Sequence, residues 1–142
     1  MGKRSLNSTF VDASFIIALV NESDQYHDLA NDLVEIYDKQ PLITTETVLI
    51  EIGNALAGRF RPQAVQILDE FAASDRVEIV PLETSLFNKG FALYRDHTDK
   101  RWGLADCISF IVMREHGITD ALTHDRHFQQ AGFRALMREP VN

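Results

Sequence analysis

The sequence has little cysteine, a deficit of basic charge and no long hydrophobic run. Cys107 is the single cysteine among 142 residues, which excludes an internal disulfide and predicts a buried thiol in a reducing compartment. Lys and Arg total 14 against 21 Asp and Glu, and the net charge of −7 argues against broad, charge-driven nucleic-acid binding. No apolar stretch approaches the length of a membrane span, and Asp12 interrupts the apolar segment that a signal peptide would need. We therefore expect a cytoplasmic protein.

The glycines and histidines match no complete cofactor motif. The seven glycines form no phosphate-binding loop, and the five histidines form no His-Glu-x-x-His motif. His124 and His127 flank Asp125 and could supply a zinc site or a general base, but no third strong ligand accompanies them. For both we prefer a contact with substrate or a surface position.

Strand-like and helix-like segments alternate along the chain without a linker or a repeat. The strand-like segments are Thr9 to Asp12, Leu42 to Thr44, Val77 to Val80, Ala121 to Thr123 and Arg134 to Met137. The helix-like segments are Phe15 to Val20, Gln25 to Lys39, Glu46 to Ala57, Pro62 to Ala73, Thr84 to His97, Leu104 to His116 and Arg126 to Ala131. This alternation predicts one α/β domain over residues 1–142, with a mostly parallel sheet of about five strands and helices on both faces.

Four acidic residues fall where such a fold would bring them together. Asp12 ends one strand-like segment and Asp125 lies just beyond another, and ligands of open α/β sheets bind beyond the carboxyl ends of the strands. Asp106 opens a helix that is apolar almost all round, so an ionised carboxylate there is costly unless something pairs with it. Glu51 lies at the edge of the buried arc of its own helix. The four acids are predicted to face one crevice.

Carboxylates gathered in one crevice predict a bound cation. Two like charges about 4 Å apart repel by roughly 4 kcal/mol at an effective dielectric near 20, and a divalent cation removes that penalty. A site of carboxylate oxygens suits Mg²⁺ or Mn²⁺, which can orient a water and polarise a phosphodiester. We expect Asp12, Asp106 and Asp125 to hold the ion, with Glu51 completing the shell directly or through water.

Three further residues are candidates for supporting roles. Ser14 and Thr123 could donate hydrogen bonds to the ligands or to the scissile phosphate. Asp99, in a charged loop, is a candidate extra acid, but it could equally be a solvated partner for Lys100 or Arg101.

Each acid also has a purely structural alternative. Asp12 and Asp125 could cap the helices that follow them, since Asp is among the best N-cap residues. Asp106 would be favoured in a first helical turn by the helix dipole, and Glu51 could be an ordinary rim residue. Only the joint pattern of the four acids favours metal binding.

Several motifs stand in order along nearly the whole chain. They are Val11 to Ser14, Thr44-Thr45 with Val48 to Glu51, Trp102 to Cys107, Leu122 to Phe128, and Ala131 to Phe133. Together they resemble a PIN domain of the VapC toxin-like kind. The resemblance implies that Asp12, Glu51, Asp106 and Asp125 are metal-binding catalytic residues of a metal-dependent endoribonuclease. It also implies a cognate antitoxin that blocks the site, and a homodimer. Gly103 departs from the family, where Ser is frequent.

The acidic chain would have to hold RNA locally. Five cations are candidates for that role: Arg59, Arg61, Lys100, Arg101 and Arg126. The same negative charge could serve a basic antitoxin segment whose arginine enters the carboxylate pocket.

Two other classes of protein are disfavoured because this sequence lacks a residue that each of them requires. A phosphoacceptor receiver domain would need paired acids near the first strand and a late lysine, whereas Asp12 stands alone and Lys100 is the last lysine. A haloacid-dehalogenase-like phosphatase would need an aspartate where Ser14 stands. A catalytically inactive PIN-like module that binds RNA or an antitoxin is the remaining alternative.

Overall fold

A computed structural model describes residues 8–139 and contains one five-stranded parallel sheet. The strands are β1 (Thr9–Val11), β2 (Leu42–Thr45), β3 (Val77–Val80), β4 (Asp120–Leu122) and β5 (Arg134–Ala135). Their order across the sheet is β3-β2-β1-β4-β5, and each neighbouring pair is parallel. The predicted α/β fold with a parallel sheet of about five strands is confirmed.

Seven α-helices connect or follow the strands of this sheet within residues 8–139. They are α1 (Ala13–Val20), α2 (His27–Tyr37), α3 (Glu46–Ala55), α4 (Arg61–Ala73), α5 (Thr84–Asp96), α6 (Leu104–Glu115) and α7 (Arg126–Gln130). None of the helices in this range is long and apolar enough to cross a membrane.

Helix ends follow the local chemistry of the chain. The α6 helix ends at Glu115, one residue before the predicted His116, and Gly117 follows with a φ of 66°, a left-handed conformation that glycine adopts at little cost. The reversal lets the Ile118 N–H donate to the carbonyl of Met113 at 2.9 Å. The α2 helix begins two residues later than predicted because the backbone N–H of Tyr26 donates to the Asp24 side chain, which holds a turn there.

The predicted strand from Arg134 to Met137 is wrong in its second half. Pairing with β4 covers only Arg134 and Ala135, and a short 3-10 helix, Leu136–Arg138, follows. Leu136 and Met137 are both buried, which a strand with alternating faces does not allow when one face is exposed. The Met137 N–H leaves the sheet ladder and donates to the carbonyl of Thr123 at 3.1 Å.

The core brings α6 and α7 against the sheet through aromatic side chains. Phe110 of α6 and Phe128 of α7 meet edge to face, with ring centroids 5.0 Å apart, and Phe128 also lies 6.1 Å from Phe10 of β1. Trp102 also meets Phe110 edge to face, with ring centroids 5.2 Å apart. Cys107 is fully buried, as predicted, and burial raises the pKa of its thiol to about 11. These contacts fix the start of α6 relative to the start of α7.

Helices α5 and α6 pack closely at a glycine. A Cβ at Gly90 would lie 2.6 Å from Ile108 Cγ1 and 3.3 Å from the Ile108 backbone. Only a residue without a side chain lets the two helices approach this far.

Candidate metal centre

The parallel pairing of β1 with β4 brings Asp12 and Asp125, the first and last of the four acids, to the carboxyl ends of two neighbouring strands. Val11 pairs with Leu122, and the Asp12 N–H donates to the carbonyl of Leu122 at 3.2 Å. Strand order reverses between β1 and β4, because β2 and β3 lie on one side of β1 and the later strands on the other. Crevices at such reversal points are the usual ligand sites of open α/β sheets. Asp12 and Asp125 therefore both lie at the mouth of this crevice.

Asp12 is buried and is held by two hydroxyl groups. Its side chain is only 7% exposed, and its Oδ2 accepts from Thr123 Oγ1 at 2.7 Å and from Ser14 Oγ at 2.9 Å. The backbone N–H groups of His124 and Asp125 donate to these same hydroxyls, at 3.2 and 3.0 Å. Each hydroxyl therefore accepts from the backbone and directs its own proton to Asp12. Among residues 8–139, no group donates to Asp12 Oδ1, so this oxygen is the one left for a ligand.

Asp106 stands in the first turn of α6 with one oxygen likewise occupied. Its side chain is 19% exposed, and its Oδ2 accepts from the backbone N–H of Gly103 at 3.0 Å and from His127 Nδ1 at 3.1 Å. Gly103 thus contributes a backbone donor, and a Cβ there would meet Asp106 Oδ2 at an ordinary 3.7 Å.

Asp125 caps α7 and at the same time faces the same crevice. Its Oδ1 accepts from the backbone N–H of His127 at 2.9 Å, so the capping alternative holds for this acid. Asp12, by contrast, occupies the N-cap of α1 without a side-chain capping bond. Capping by Asp125 uses Oδ1, and no hydrogen bond from residues 8–139 occupies its other oxygen.

Glu51 of α3 is the fourth acid, and its pKa shows the electrostatic influence of the other three. Burial and then the negative charges of Asp12, Asp106 and Asp125 raise the pKa of Glu51 from 4.5 to about 7. The same four carboxyls therefore act on one another, although Asp12 and Glu51 lie outside the tightest cluster of the described residues. That cluster consists of Asp106, Asp125 and His127, whose ligand atoms lie within 4.8 Å of one another.

The buried Asp12 and the half-buried Asp106 are electrostatically unfavourable as ionised groups when the crevice holds no cation. Desolvation raises the pKa of Asp12, opposed by the hydrogen bonds from Thr123 and Ser14 and reinforced by the charges of Asp106 and Asp125. Desolvation also raises the pKa of Asp106, opposed by the Gly103 N–H and by His127. Shifts of this kind mark ionised forms that need a positive charge nearby. The donor set and its electrostatics fit a divalent cation.

Asp99 lies apart from this group. It stands in an exposed turn after α5, with its Oδ2 3.7 Å from Lys100 Nζ. Asp99 is also not among the charges that shift the pKa of Asp12, Glu51 or Asp106. Its contacts are those of the solvated ion-pair alternative.

The two histidines beside Asp125 have different surroundings. His124 stacks on Tyr26, with ring centroids 4.2 Å apart and planes 10° from parallel. His127 instead points its Nδ1 at Asp106, a contact that the sequence pattern did not predict. The available signal was its place in the first turn of the helix capped by a predicted ligand.

The candidate RNA-binding cations fall into two groups. Arg59 pairs with Glu22 at 3.2 Å, and Arg61 Nε donates to the carbonyl of Ala57. Lys100 and Arg101 lie in the exposed loop that leads into α6, and Arg126 is exposed at the start of α7. The residues of the second group are close to the acids in sequence: Lys100 and Arg101 precede Asp106, and Arg126 directly follows Asp125.

Comparison with known proteins identifies relatives over most of the chain. The sequence profile of the PIN domain matches residues 9–134. The 23S rRNA-specific endonuclease VapC20 of Mycobacterium tuberculosis is 31% identical over 125 residues, which cover 87% of this chain and 94% of the relative. The crystal structure of M. tuberculosis VapC20, a Sarcin-Ricin loop cleaving toxin, gives a TM-score of 0.80 at 29% identity and covers 90% of this chain and 98% of that chain.

Two solved structures of lower identity share the fold. VapBC2 from Rickettsia felis, bound to a DNA fragment from its promoter, gives a TM-score of 0.64 at 15% identity and covers 88% of this chain and 93% of that one. FitAcB from Neisseria gonorrhoeae gives 0.60 at 14% identity, with 89% and 95% covered. The fold, the profile match and the VapC20 similarity agree, and this chain belongs to the PIN domain family.

Proposed function

We propose that this protein is a metal-dependent endoribonuclease that hydrolyses RNA phosphodiester bonds and acts as the toxin of a type II toxin-antitoxin pair. The observation that carries the proposal is the convergence of acids at the carboxyl ends of β1 and β4, where ligand atoms of Asp106 and Asp125 lie within 4.8 Å of each other and the charges of both act on the buried Asp12. The similarity to VapC20, whose name describes an endonuclease specific for 23S rRNA, supports the same chemistry here.

The acids would hold Mg²⁺ or Mn²⁺, since both ions prefer carboxylate ligands and keep positions open for phosphate. A cation bound there would supply an activated water and charge stabilisation for an in-line displacement at phosphorus. Asp12 would bind through Oδ1, because two hydroxyl donors already occupy its Oδ2. Asp106, Asp125 and Glu51 complete the ligand set in this proposal, and all four count as catalytic residues.

The hydroxyls of Ser14 and Thr123 serve to fix Asp12 before any ligand arrives. Both are aligned by backbone N–H groups, so the orientation of the Asp12 carboxylate is set by β4 and the turn that follows it. A carboxylate already held in its binding orientation loses little conformational entropy when it binds a cation. This arrangement favours a preformed site over one assembled by the substrate.

A shallow groove beside Asp106 is suited to an RNA strand. Exposed Phe91 and Tyr94 of α5 stack on each other, with ring centroids 6.5 Å apart, and Lys100 and Arg101 line the same groove. The groove reaches Gly103, whose N–H binds the Asp106 carboxylate. Aromatic faces with nearby cations hold unpaired nucleotides without sequence preference. Local binding of this kind suits a chain whose net charge is −7.

A toxin of this class implies further partners. The proposal includes a cognate antitoxin, and the acidic crevice would accept an arginine from it in place of the cation. An antitoxin that inhibits equally well after all its arginines are replaced would contradict that mode of inhibition. A homodimer and a cytoplasmic location remain predictions, the second because bulk cellular RNA is there.

Cleavage of cellular RNA tests the proposed function. Purified, antitoxin-free protein would be incubated with total RNA and with intact ribosomes in Mn²⁺, in Mg²⁺ and in EDTA, and new RNA ends would be mapped. We expect discrete ends in either ion and none in EDTA. Asp69→Asn on the exposed face of α4 serves as a matched control and should cut like the wild type. Absence of cutting by the folded protein would favour the inactive binding module.

A further inference from the structure

His127 lies between two of the proposed metal ligands. Its Nδ1 is 3.1 Å from Asp106 Oδ2 and 3.4 Å from Asp125 Oδ1, and a quarter of its side chain is exposed. Asp106 and Asp125 lie 19 residues apart in the chain, at the starts of different helices, and this imidazole contacts both of them.

The neighbours of Nδ1 define its role as a hydrogen-bond donor. Ionised carboxylates only accept hydrogen bonds, so the ring nitrogen that faces them carries the proton. Asp106 Oδ2 then receives two donors, the His127 ring and the Gly103 backbone N–H at 3.0 Å. Asp12 Oδ2 is likewise held by two hydroxyls. Each aspartate is thus fixed through one oxygen, and in the described part of the chain the other oxygen of each accepts nothing.

The ring is held in this position by its own helix. The His127 N–H donates to Asp125 Oδ1 at 2.9 Å, which anchors the residue in the first turn of α7. The next residue, Phe128, is fully buried and meets Phe110 of α6 edge to face. Phe110 lies one helical turn after Asp106, so the same packing that docks α7 on α6 sets the distance between ring and carboxylate.

We propose that His127 is a positioning residue that orients Asp106, and through it the cation, without ligating the ion itself. The proposal rests on the function proposed above. Since the proton occupies Nδ1, this nitrogen has no lone pair to offer a metal. Loss of the ring should therefore weaken binding of every ion that Asp106 binds. Loss of a true imidazole ligand would instead weaken Mn²⁺ binding more than Mg²⁺ binding, because imidazole favours the transition metal.

Two substitutions separate orientation from packing. His127→Leu keeps the bulk of the side chain and removes the donor. His127→Asn replaces the ring with an amide whose Nδ2 stands where Nδ1 stood, and so can restore the bond to Asp106. His116→Leu, at the far end of α6, is the matched control, because His116 Nδ1 contacts the carbonyl of Val112 and no acid of the crevice.

Titration calorimetry with Mg²⁺ and with Mn²⁺ tests the proposal, with urea unfolding in EDTA to verify that each variant folds. For His127→Leu we expect affinity for both ions to fall by a similar factor, about 10- to 100-fold as for other outer-shell partners of metal ligands. His127→Asn should stay within about threefold of the wild type on the same basis, and His116→Leu should be unchanged.

Three results would overturn the proposal. They are unchanged affinity in His127→Leu, a loss confined to Mn²⁺, and a His127→Asn variant no better than His127→Leu. Failure of the wild type to bind either ion would overturn the proposed function as well, whereas wild-type binding with unaltered variants would overturn only the role of His127.

Discussion

Replacement of Glu51 by glutamine should stabilise the metal-free protein at neutral and alkaline pH. The pKa of Glu51 is raised from 4.5 to about 7, so the folded protein binds a proton that the unfolded chain releases between these values. The contribution of this group to stability is then fully present below pH 4.5 and is lost as the pH rises to about 7. Glutamine has no proton to lose, so the variant lacks this part of the decrease.

The expected stabilisation by Glu51→Gln can be calculated from the pKa shift of Glu51. A change from 4.5 to about 7 corresponds to at most about 3 kcal/mol, because one pKa unit is worth about 1.4 kcal/mol. Glu51 is partly exposed, and solvent screening reduces the expected gain at pH 8 to about 1–2 kcal/mol.

Urea unfolding in EDTA at pH 5 and pH 8 measures this difference. We expect the wild type to lose more free energy of unfolding than Glu51→Gln between the two pH values, and Mn²⁺ to restore the wild type more than the variant. Glu35→Gln, on the exposed side of α2, is the control for loss of a charge and should follow the wild type. Equal pH dependence in wild type and Glu51→Gln would refute the reasoning.

Three further predictions concern catalysis, substrate binding and packing. Asp106→Asn should reduce RNA cleavage at least about 100-fold, which is more than the loss expected when an outer-shell partner of a metal ligand is removed. The stability of the metal-free variant should equal or exceed that of the wild type. RNA cleavage and urea unfolding measured on the same preparation check both expectations. Lys100→Ala or Arg101→Ala should weaken RNA binding and reduce the steepness of log affinity against log salt by about 0.7 for each phosphate that the side chain neutralises. A salt dependence equal to that of the wild type would exclude this groove as the RNA-binding surface. Gly90→Ala should cost about 1–3 kcal/mol of unfolding free energy because its Cβ would overlap the facing helix. Gly53→Ala, with open space around its Cβ, should gain up to about 1 kcal/mol, and a destabilised Gly53→Ala would contradict this account of helix packing.

Elements with strong local signals could be predicted from the sequence. Asp12 and Asp125 were predictable as strand-end acids because each follows a short β-prone run and precedes a helix, and parallel pairing of β1 with β4 then brings them together. The end of α6 was predictable from Gly117, whose left-handed conformation is a local property. The end of the last strand could not be predicted in this way. The consecutive residues Leu136 and Met137 are both buried, and the Met137 N–H bonds to Thr123 after β4, a contact between distant parts of the chain.

The contact of His127 with Asp106 depends on packing between distant segments. The two residues are 21 positions apart, and they meet because Phe128 docks on Phe110. Spacing along the chain shows only that His127 follows Asp125, which predicts neither the partner nor the direction of the ring. The exposed position of Asp99 is also set by the course of its loop, and its charge alone could not distinguish ligand from ion pair.

The most direct test of the metal centre is an anomalous difference map from crystals of this protein equilibrated with saturating Mn²⁺. The account predicts a peak bonded to the carboxylates of Asp12, Asp106 and Asp125, with Glu51 bound directly or through a water and His127 outside the coordination shell. A map with no peak among these four acids, or with the only peak elsewhere on the protein, would contradict it.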